Sequence, residues 1–157
     1  MQNKNYRNVS QNKKAYHNYF VLESFEVGIV LNGTEVKSIR AGKINIKDSW
    51  CQISHGELYV NNLHVSSYSH GNIFNHDPIR IRKLLAHKNE IMKILGQIKK
   101  KGISVIPLSV YFKNSLIKLK IGLCKGKKLY DKRAEIAKKD SDLEKRRILK
   151  SFNRNNF

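Results

Sequence analysis

The sequence predicts a mainly β domain with helices: an OB-like antiparallel β-barrel with external helices, followed by a basic C-terminal tail. Three observations lead there. Short runs of alternating apolar residues recur between Tyr19 and Cys124, the period-2 signature of half-buried strands. Only His87 to Lys101 places its apolar residues, Ile91, Ile94, Leu95 and Ile98, at clear helical spacing. Residues 125–157 carry twelve Lys and Arg against five acids, a net +7, with a thin apolar stripe. Many short strands with one main helix in about 110 residues suit a small closed barrel. A twisted open sheet with helices on one face is the alternative.

Residues 1–14 are rich in Asn, Gln and Lys and read as a flexible N-terminal arm. Residues 15–124 form the folded domain. Tyr19, Val21, Val27, Ile29 and Leu31 alternate along one long strand or a bent pair, with Gly28 a candidate bulge. Glu35 to Arg40 reads as one or two helical turns with Thr34 as N-cap. Ile44 to Ile53 and Glu57 to Val65 alternate around His55-Gly56 and read as a hairpin. Gly71 to Pro78 is a polar loop, and Arg80 to Leu85 a short strand. The helix over His87 to Lys101 ends in three lysines, where the macrodipole favours cations, and Gly102 stops it. Ile103 to Phe112 and Leu116 to Cys124 are two strands joined at Asn114-Ser115.

Residues 125–157 differ in kind. No Pro or Gly follows Gly126, so a helix is permitted. Burying Ile136, Leu143, Ile148 and Leu149 would not offset the ordering entropy of the segment. The tail is therefore expected to be disordered when free and helical on a polyanionic partner.

Charge is the main functional signal. The 157 residues hold 31 Lys and Arg against 12 Asp and Glu, a formal net charge of +19. Such a chain attracts polyanions, of which nucleic acid and an anionic membrane surface are the obvious ones. No apolar run approaches the length needed to span a bilayer, and the N-terminus lacks a secretory h-region. The tail lacks large apolar anchors for a membrane surface. Cys51 and Cys124 stand in no CxxC or Cys/His spacing and read as buried thiols of a reducing cytosol. The histidines form no zinc or HExxH pattern, so no metal and no cofactor is expected. The segment from Gly122 to Lys128 is superficially similar to a phosphate loop, but it is one residue short and lacks the Ser/Thr that would hold magnesium. His76-Asp77-Pro78 reads as turn chemistry rather than an acid/base pair. No catalytic residue is predicted, and the chain reads as a non-enzyme. Basic residues interleave with aromatics at Tyr111-Phe112-Lys113 and at Lys127-Lys128-Leu129-Tyr130, a pattern suited to phosphate contact and base stacking.

Seven blocks, in order, carry a family resemblance: Asn12-Lys13-Lys14-Ala15-Tyr16-His17-Asn18-Tyr19; Gly28 through Arg40; Asp48-Ser49 with Gly56-Glu57-Leu58-Tyr59; Asn75-His76-Asp77-Pro78; Arg82-Lys83-Leu84-Leu85 with His87-Lys88; Pro107-Leu108 with Tyr111-Phe112; and Gly126-Lys127-Lys128-Leu129-Tyr130-Asp131-Lys132-Arg133. The chain resembles the SmpB family of transfer-messenger RNA (tmRNA, SsrA) binding proteins from Asn12 to Lys150. The resemblance implies an OB-like barrel on the tRNA-like domain of tmRNA and delivery of that RNA to stalled ribosomes for trans-translation. It implies a tail that meets rRNA of the small subunit at the decoding centre and runs into the vacant mRNA channel as a helix.

On that resemblance the RNA-binding residues are Asn12, Lys14, His17, Glu35, Lys37, Arg40, Lys43, Lys113, Lys125, Lys127 and Lys128. Glu35 would accept from a base amino edge or orient a neighbouring Lys or Arg, with Lys37, Arg40 and Lys43 on phosphates around it. The ribosomal set is Tyr130, Asp131, Lys132, Arg133, Lys138, Lys139, Arg147, Ile148, Leu149 and Lys150. Tyr130 stands where many members carry His. Asp131 would cap the emerging helix or pair with Arg133. Trp50 and Cys51 depart from the pattern, and Ser141 stands where members often carry a large residue. The expected state is a cytoplasmic monomer. A generic basic ribosomal or RNA-binding protein explains the charge and fold equally well, but not the seven ordered blocks.

Overall fold

The computed structural model describes residues 5–70 and 75–155. The first four residues of the expected N-terminal arm, and residues 71–74 of the expected polar loop, lie outside the described residues. The chain separates into two compact units, residues 1–126 and 127–157.

The first unit is mainly β. Its strands are β1 (Tyr6–Gln11), β2 (Tyr19–Ile29), β3 (Ile44–Asn45), β4 (Trp50–Ser54), β5 (Glu57–Asn61), β6 (His64–Val65), β7 (Arg82–Leu85), β8 (Ile103–Lys113) and β9 (Leu116–Gly126). Its helices are α1 (Lys13–Asn18), α2 (Gly33–Arg40) and α3 (Lys88–Ile98). Seven strands pair in the order β1-β8-β4-β5-β7-β2-β9, and β9 pairs again with β8. The antiparallel ladders from β8 through β4, β5, β7, β2 and β9 thus return to β8. β1 is added to β8 outside that circuit, and β3 and β6 form a separate small ladder.

Alternation sends one face of these strands inward. Leu58, Val60, Leu84, Val105, Val110, Leu119, Ile121 and Leu123 meet Ile39 of α2 and Ile91 and Ile94 of α3 in one buried cluster. A second cluster under α1 joins Ala15, Ile106, Leu108 and Cys124. β8 is therefore apolar on both faces, which is why residues 105–112 are buried without a break. Its neighbour β9 carries Gly122, where an added Cβ would stand 2.7 Å from Leu108 Cδ1. A side chain there would force Leu108 to shift from its place over the strand. Cys51 and Cys124 are free thiols in this interior, and burial pushes Cys124 up to about 11.

Several expectations change. The N-terminal arm is not free along its length: Tyr6–Gln11 is a strand on β8. Its polar composition hid this because the partner lies about a hundred residues away. The α2 N-cap is Asn32, not Thr34. The bulge on β2 falls between Val21 and Glu23, whereas Gly28 pairs in register with Leu85 and Lys118. Ile44 to Ile53 breaks into β3 and β4 at Ile46, whose carbonyl accepts from the Ser49 hydroxyl at 2.6 Å. Glu57 to Val65 breaks into β5 and β6 at Asn62, which has a φ of 56°. The hairpin around His55-Gly56 and the turn at Asn114-Ser115 stand as expected.

The second unit is α4 (Leu129–Asn155). Lys128 N–H donates to Asp131 Oδ2 at 3.1 Å, so an acid one turn in satisfies a free amide at the helix start. Leu129, Tyr130, Ile136, Leu143, Ile148, Leu149 and Phe152 are all exposed.

A chain truncated after Gly126 should keep its cooperative thermal transition. The midpoint should move by less than about 4 °C, equivalent to under about 1 kcal/mol. Loss of the transition would show that residues 127–157 complete the core.

Candidate nucleic-acid interface

The site is organised around a buried carboxylate. Asn32 N–H donates to Glu35 Oε1 at 3.0 Å. Arg80 Nη2 donates to the same oxygen and Arg82 Nε to Oε2. Glu35 and Arg82 are both 0% exposed. Arg82 Nη1 also donates to Leu63 O at 2.7 Å and Arg80 O at 3.0 Å, and its Nη2 to Pro78 O at 3.3 Å. Burial alone would raise the Glu35 pKa. The Asn32 amide and the two guanidiniums outweigh it and hold the carboxyl below its ordinary value.

Two roles were expected of Glu35, accepting from a base edge or orienting a neighbouring Lys or Arg. Its burial and its committed oxygens agree with the second: it holds Arg80 and Arg82 and anchors α2. Asn12, expected to contact RNA, is corrected. It is also fully buried, accepting from Ala15 N–H at 3.0 Å as the α1 cap and donating to Ile46 O at 3.2 Å and Pro107 O at 3.0 Å.

With Glu35 turned inward, the opposite face of α2 presents Lys37 and Arg40 to solvent, followed by exposed Lys43. Ser66 N–H donates to Lys43 O at 3.1 Å, which brings residues 66–70 alongside. Lys37 Nζ sits 5.4 Å from the Tyr68 ring centroid, and His70 meets that ring edge-on at 5.4 Å. Asn75 clamps Tyr68 at both its N–H and its C=O, at 3.0 and 2.6 Å. His76 Nε2 donates to Val65 O at 2.9 Å, and its Nδ1 is hydrogen-bonded with the Thr34 hydroxyl at 2.9 Å. Both of its ring nitrogens are therefore spoken for. This surface can take phosphates on its cations and a base on its rings.

The remaining predicted residues are spread over the first unit. Lys14 pairs with Asp48 at 2.8 Å on the surface, and exposed His17 follows on α1. Lys113 pairs with Glu26 at 3.0 Å. The Tyr111 hydroxyl donates to the same carboxylate, which lies below its ordinary pKa through that bond first and Lys113 second. Tyr111 and Phe112 are buried, so the stacking on bases expected of them is overturned: Tyr111 packs on the Tyr6 ring at 4.7 Å, and Phe112 joins the main core cluster. Lys125 is exposed opposite Phe20.

In the second unit, Lys127 is ion-paired with Glu135, and Lys139 reaches the same acid at 3.4 Å. Lys128, Tyr130, Arg133, Lys138, Arg147, Ile148, Leu149 and Lys150 are exposed, and Asp131 and Lys132 half-buried. The sequence reading missed Arg80, Arg82 and Tyr68. The parity of β7 was the available signal for Arg82, which shares the inward face with Leu84.

A model of the SmpB protein family matches residues 9–151. An SsrA-binding protein of Acetivibrio thermocellus is 55% identical over 144 residues, covering 92% of this chain and 94% of the relative. One from Bacillus pumilus is 54% identical over 144 residues, covering 92% and 90%. A solved structure described as "tmRNA-SmpB: a journey to the center of the bacterial ribosome" contains a chain 45% identical, with a TM-score of 0.65. The match covers 76% of this chain and 85% of that one.

Replacing Glu35 by Ala should cost about 3–5 kcal/mol, because it strands a buried guanidinium. A folded pKa below the ordinary carboxyl value means that this stabilisation is complete above about pH 4.3 and is lost as pH falls through the folded value. Urea midpoints should therefore fall more steeply from pH 6 to pH 3 in the parent than in Glu35→Gln.

Proposed function

Because the chain belongs to the SmpB family, we propose that it binds tmRNA through its folded unit and delivers that RNA to stalled ribosomes for trans-translation. The observation that carries the reading is the presence of two distinct basic surfaces in one chain. One is fixed on a packed β unit around α2. The other is a long basic helix whose apolar residues are all exposed.

The folded unit is an OB-like barrel in this reading, supported by ladder pairings that return to β8. Lys37, Arg40 and Lys43 hold phosphates of the tRNA-like domain, with Lys14, His17, Lys113, Lys125, Lys127 and Lys128 extending the contact. Glu35 and Asn12 act from beneath as positioning residues: one sets the height and tilt of α2, the other the seat of α1. A helix that presents cations one turn apart is useful for RNA only if its axis is fixed relative to the sheet.

The basic tail expected from residue 125 starts after β9, which takes in Lys125 and Gly126; from residue 127 onward it is disordered when free and folds on the ribosome. Its net charge and exposed apolar stripe support this, since neither stabilises an isolated helix. Tyr130 stacks in the decoding centre. Asp131, Lys132 and Arg133 set the helix where the channel begins, and Lys138, Lys139, Arg147, Ile148, Leu149 and Lys150 follow the empty mRNA path. The protein works as a cytoplasmic monomer without a cofactor. The RNA recovered with the native protein tests the reading. tmRNA should dominate; ribosomal RNA alone would indicate a structural ribosomal protein.

Two measurements refine it. Binding to tmRNA should weaken with salt at a log–log slope of about −0.7 to −0.9 per phosphate neutralised, and a flat titration would remove charge as the source of affinity. Asp131→Ala should reduce tagging of stalled chains and leave tmRNA affinity unchanged, because it frees the Lys128 amide at the helix start. Simple electrostatic attraction predicts the opposite, since the variant is more positive. Unchanged or improved tagging would mean that the tail acts as a bulk polycation.

A further inference from the structure

A cleft beneath the N-terminal strand is not absorbed by these roles. β1 lies against β8 with Arg7 opposite Phe112 and Tyr6 opposite Lys113. Asn114 N–H donates to Asn5 O at 3.1 Å, tying the β8–β9 hairpin tip to the start of β1. Asn114 and Ser115 hold φ values of 50° and 66°, the left-handed pair of a tight hairpin turn. Arg40 arrives from the last turn of α2. These three elements enclose an open cavity of about 620 Å³. Arg7 and Arg40 both line it, Tyr6 and Phe112 supply apolar wall, and Asn5, Asn114 and Ser115 supply uncharged polar groups.

Among the described residues no acid lines the cavity. Among the described residues no carboxylate pairs with either guanidinium. Arg80 and Arg82, by contrast, are both committed to Glu35. Two arginines brought to one concave site from distant parts of the chain, with no counter-ion, form an anion site in which each fork can donate two parallel hydrogen bonds. The neutral amides and hydroxyl beside them suit a ligand that carries hydroxyls next to its charge.

We propose that this cleft binds the RNA backbone, with one phosphodiester held between Arg7 and Arg40 and the adjoining ribose hydroxyl facing Asn5, Asn114 and Ser115. The proposal rests on the RNA-binding reading above and extends it. Arg7 precedes the segment matched by the family model, residues 9–151, so β1 adds a contact from outside that segment. The ribose contact gives the site a means of preferring RNA over DNA.

The test is direct binding of the full chain to an RNA carrying the tRNA-like domain, over a range of salt concentrations. The variants are Arg7→Gln, Arg7→Lys, Arg40→Gln, the Arg7→Gln/Arg40→Gln double, and Lys101→Gln as an equal loss of charge elsewhere. Arg7→Gln should bind about tenfold more weakly, Arg7→Lys less weakly than Arg7→Gln, and Lys101→Gln within about twofold of the parent. The double variant should have a salt slope shallower by about 0.7–0.9, the value for a single shared phosphate. A double variant that loses twice that slope would overturn the shared site. Parent protein that binds the RNA while Arg7→Gln matches Lys101→Gln would overturn this site alone. Failure of the parent to bind would overturn the functional reading and this site with it. Arg7 and Arg40 are exposed, so thermal midpoints should stay at the parent value and separate lost binding from lost folding.

Discussion

The contact between Glu35 and Arg82 is the constraint on which the basic α2 side of the folded unit depends. It joins the first turn of α2 to the inward face of β7. Arg82 then reaches the carbonyls of Leu63 and Pro78, so one guanidinium gathers a helix, a strand and two connections. Removing two charges from water is costly, and neither partner is tolerable alone. The pair is satisfied because the carboxylate also takes Asn32 N–H and Arg80. The consequence for function is geometric. With its acid locked inside, α2 can turn only Lys37 and Arg40 outward. A helix this short, in a chain this basic, would otherwise have little to orient it.

A second constraint is β8. Its two faces belong to different clusters, one inside the ladder circuit and one under α1. It also pairs with β1, β4 and β9 along its length. Asn12 secures the crossing point, where its amide donates to Pro107 O on β8 and its carbonyl caps α1. The chain spends its continuous apolar sequence here, leaving the other strands free to carry polar residues outward. This arrangement lets a protein with a +19 formal charge keep an apolar core: no lysine of the folded unit is buried among the described residues. The ion pairs of Lys14 with Asp48 and Lys93 with Glu23 lie on the surface and contribute little to stability.

The helical second unit follows a different logic. Asp131 and the exposed stripe from Leu129 to Phe152 give it a start and one apolar side, but no buried core. In the folded unit, side chains are ordered by packing and can pre-position contacts. The helix has no such packing: the large apolar side chains among its described residues are exposed. The division between the units, at Gly126 and Lys127, falls where β9 ends.

Much of the local structure was legible in the amino-acid sequence. Alternation located β2, β4, β5, β8 and β9, helical spacing located α3, and charge with seven ordered blocks indicated RNA as the partner. These signals are local: each strand or helix carries its own period, and net charge is a sum. What the tertiary structure decided was where polar residues go. Sequence could not tell that Glu35 and Asn12 point inward while Lys37 and His17 point out, because an acid among basic residues looks like a contact until Arg80 and Arg82 are brought to it from 45 and 47 residues away. Nor could it show that Tyr6–Gln11 is a strand, since its hydrogen-bond partners lie on β8, or that Arg7 and Arg40 share one cleft. Periodicity and composition report what a segment does by itself. The burial of a charge depends on a partner that only the folded chain supplies.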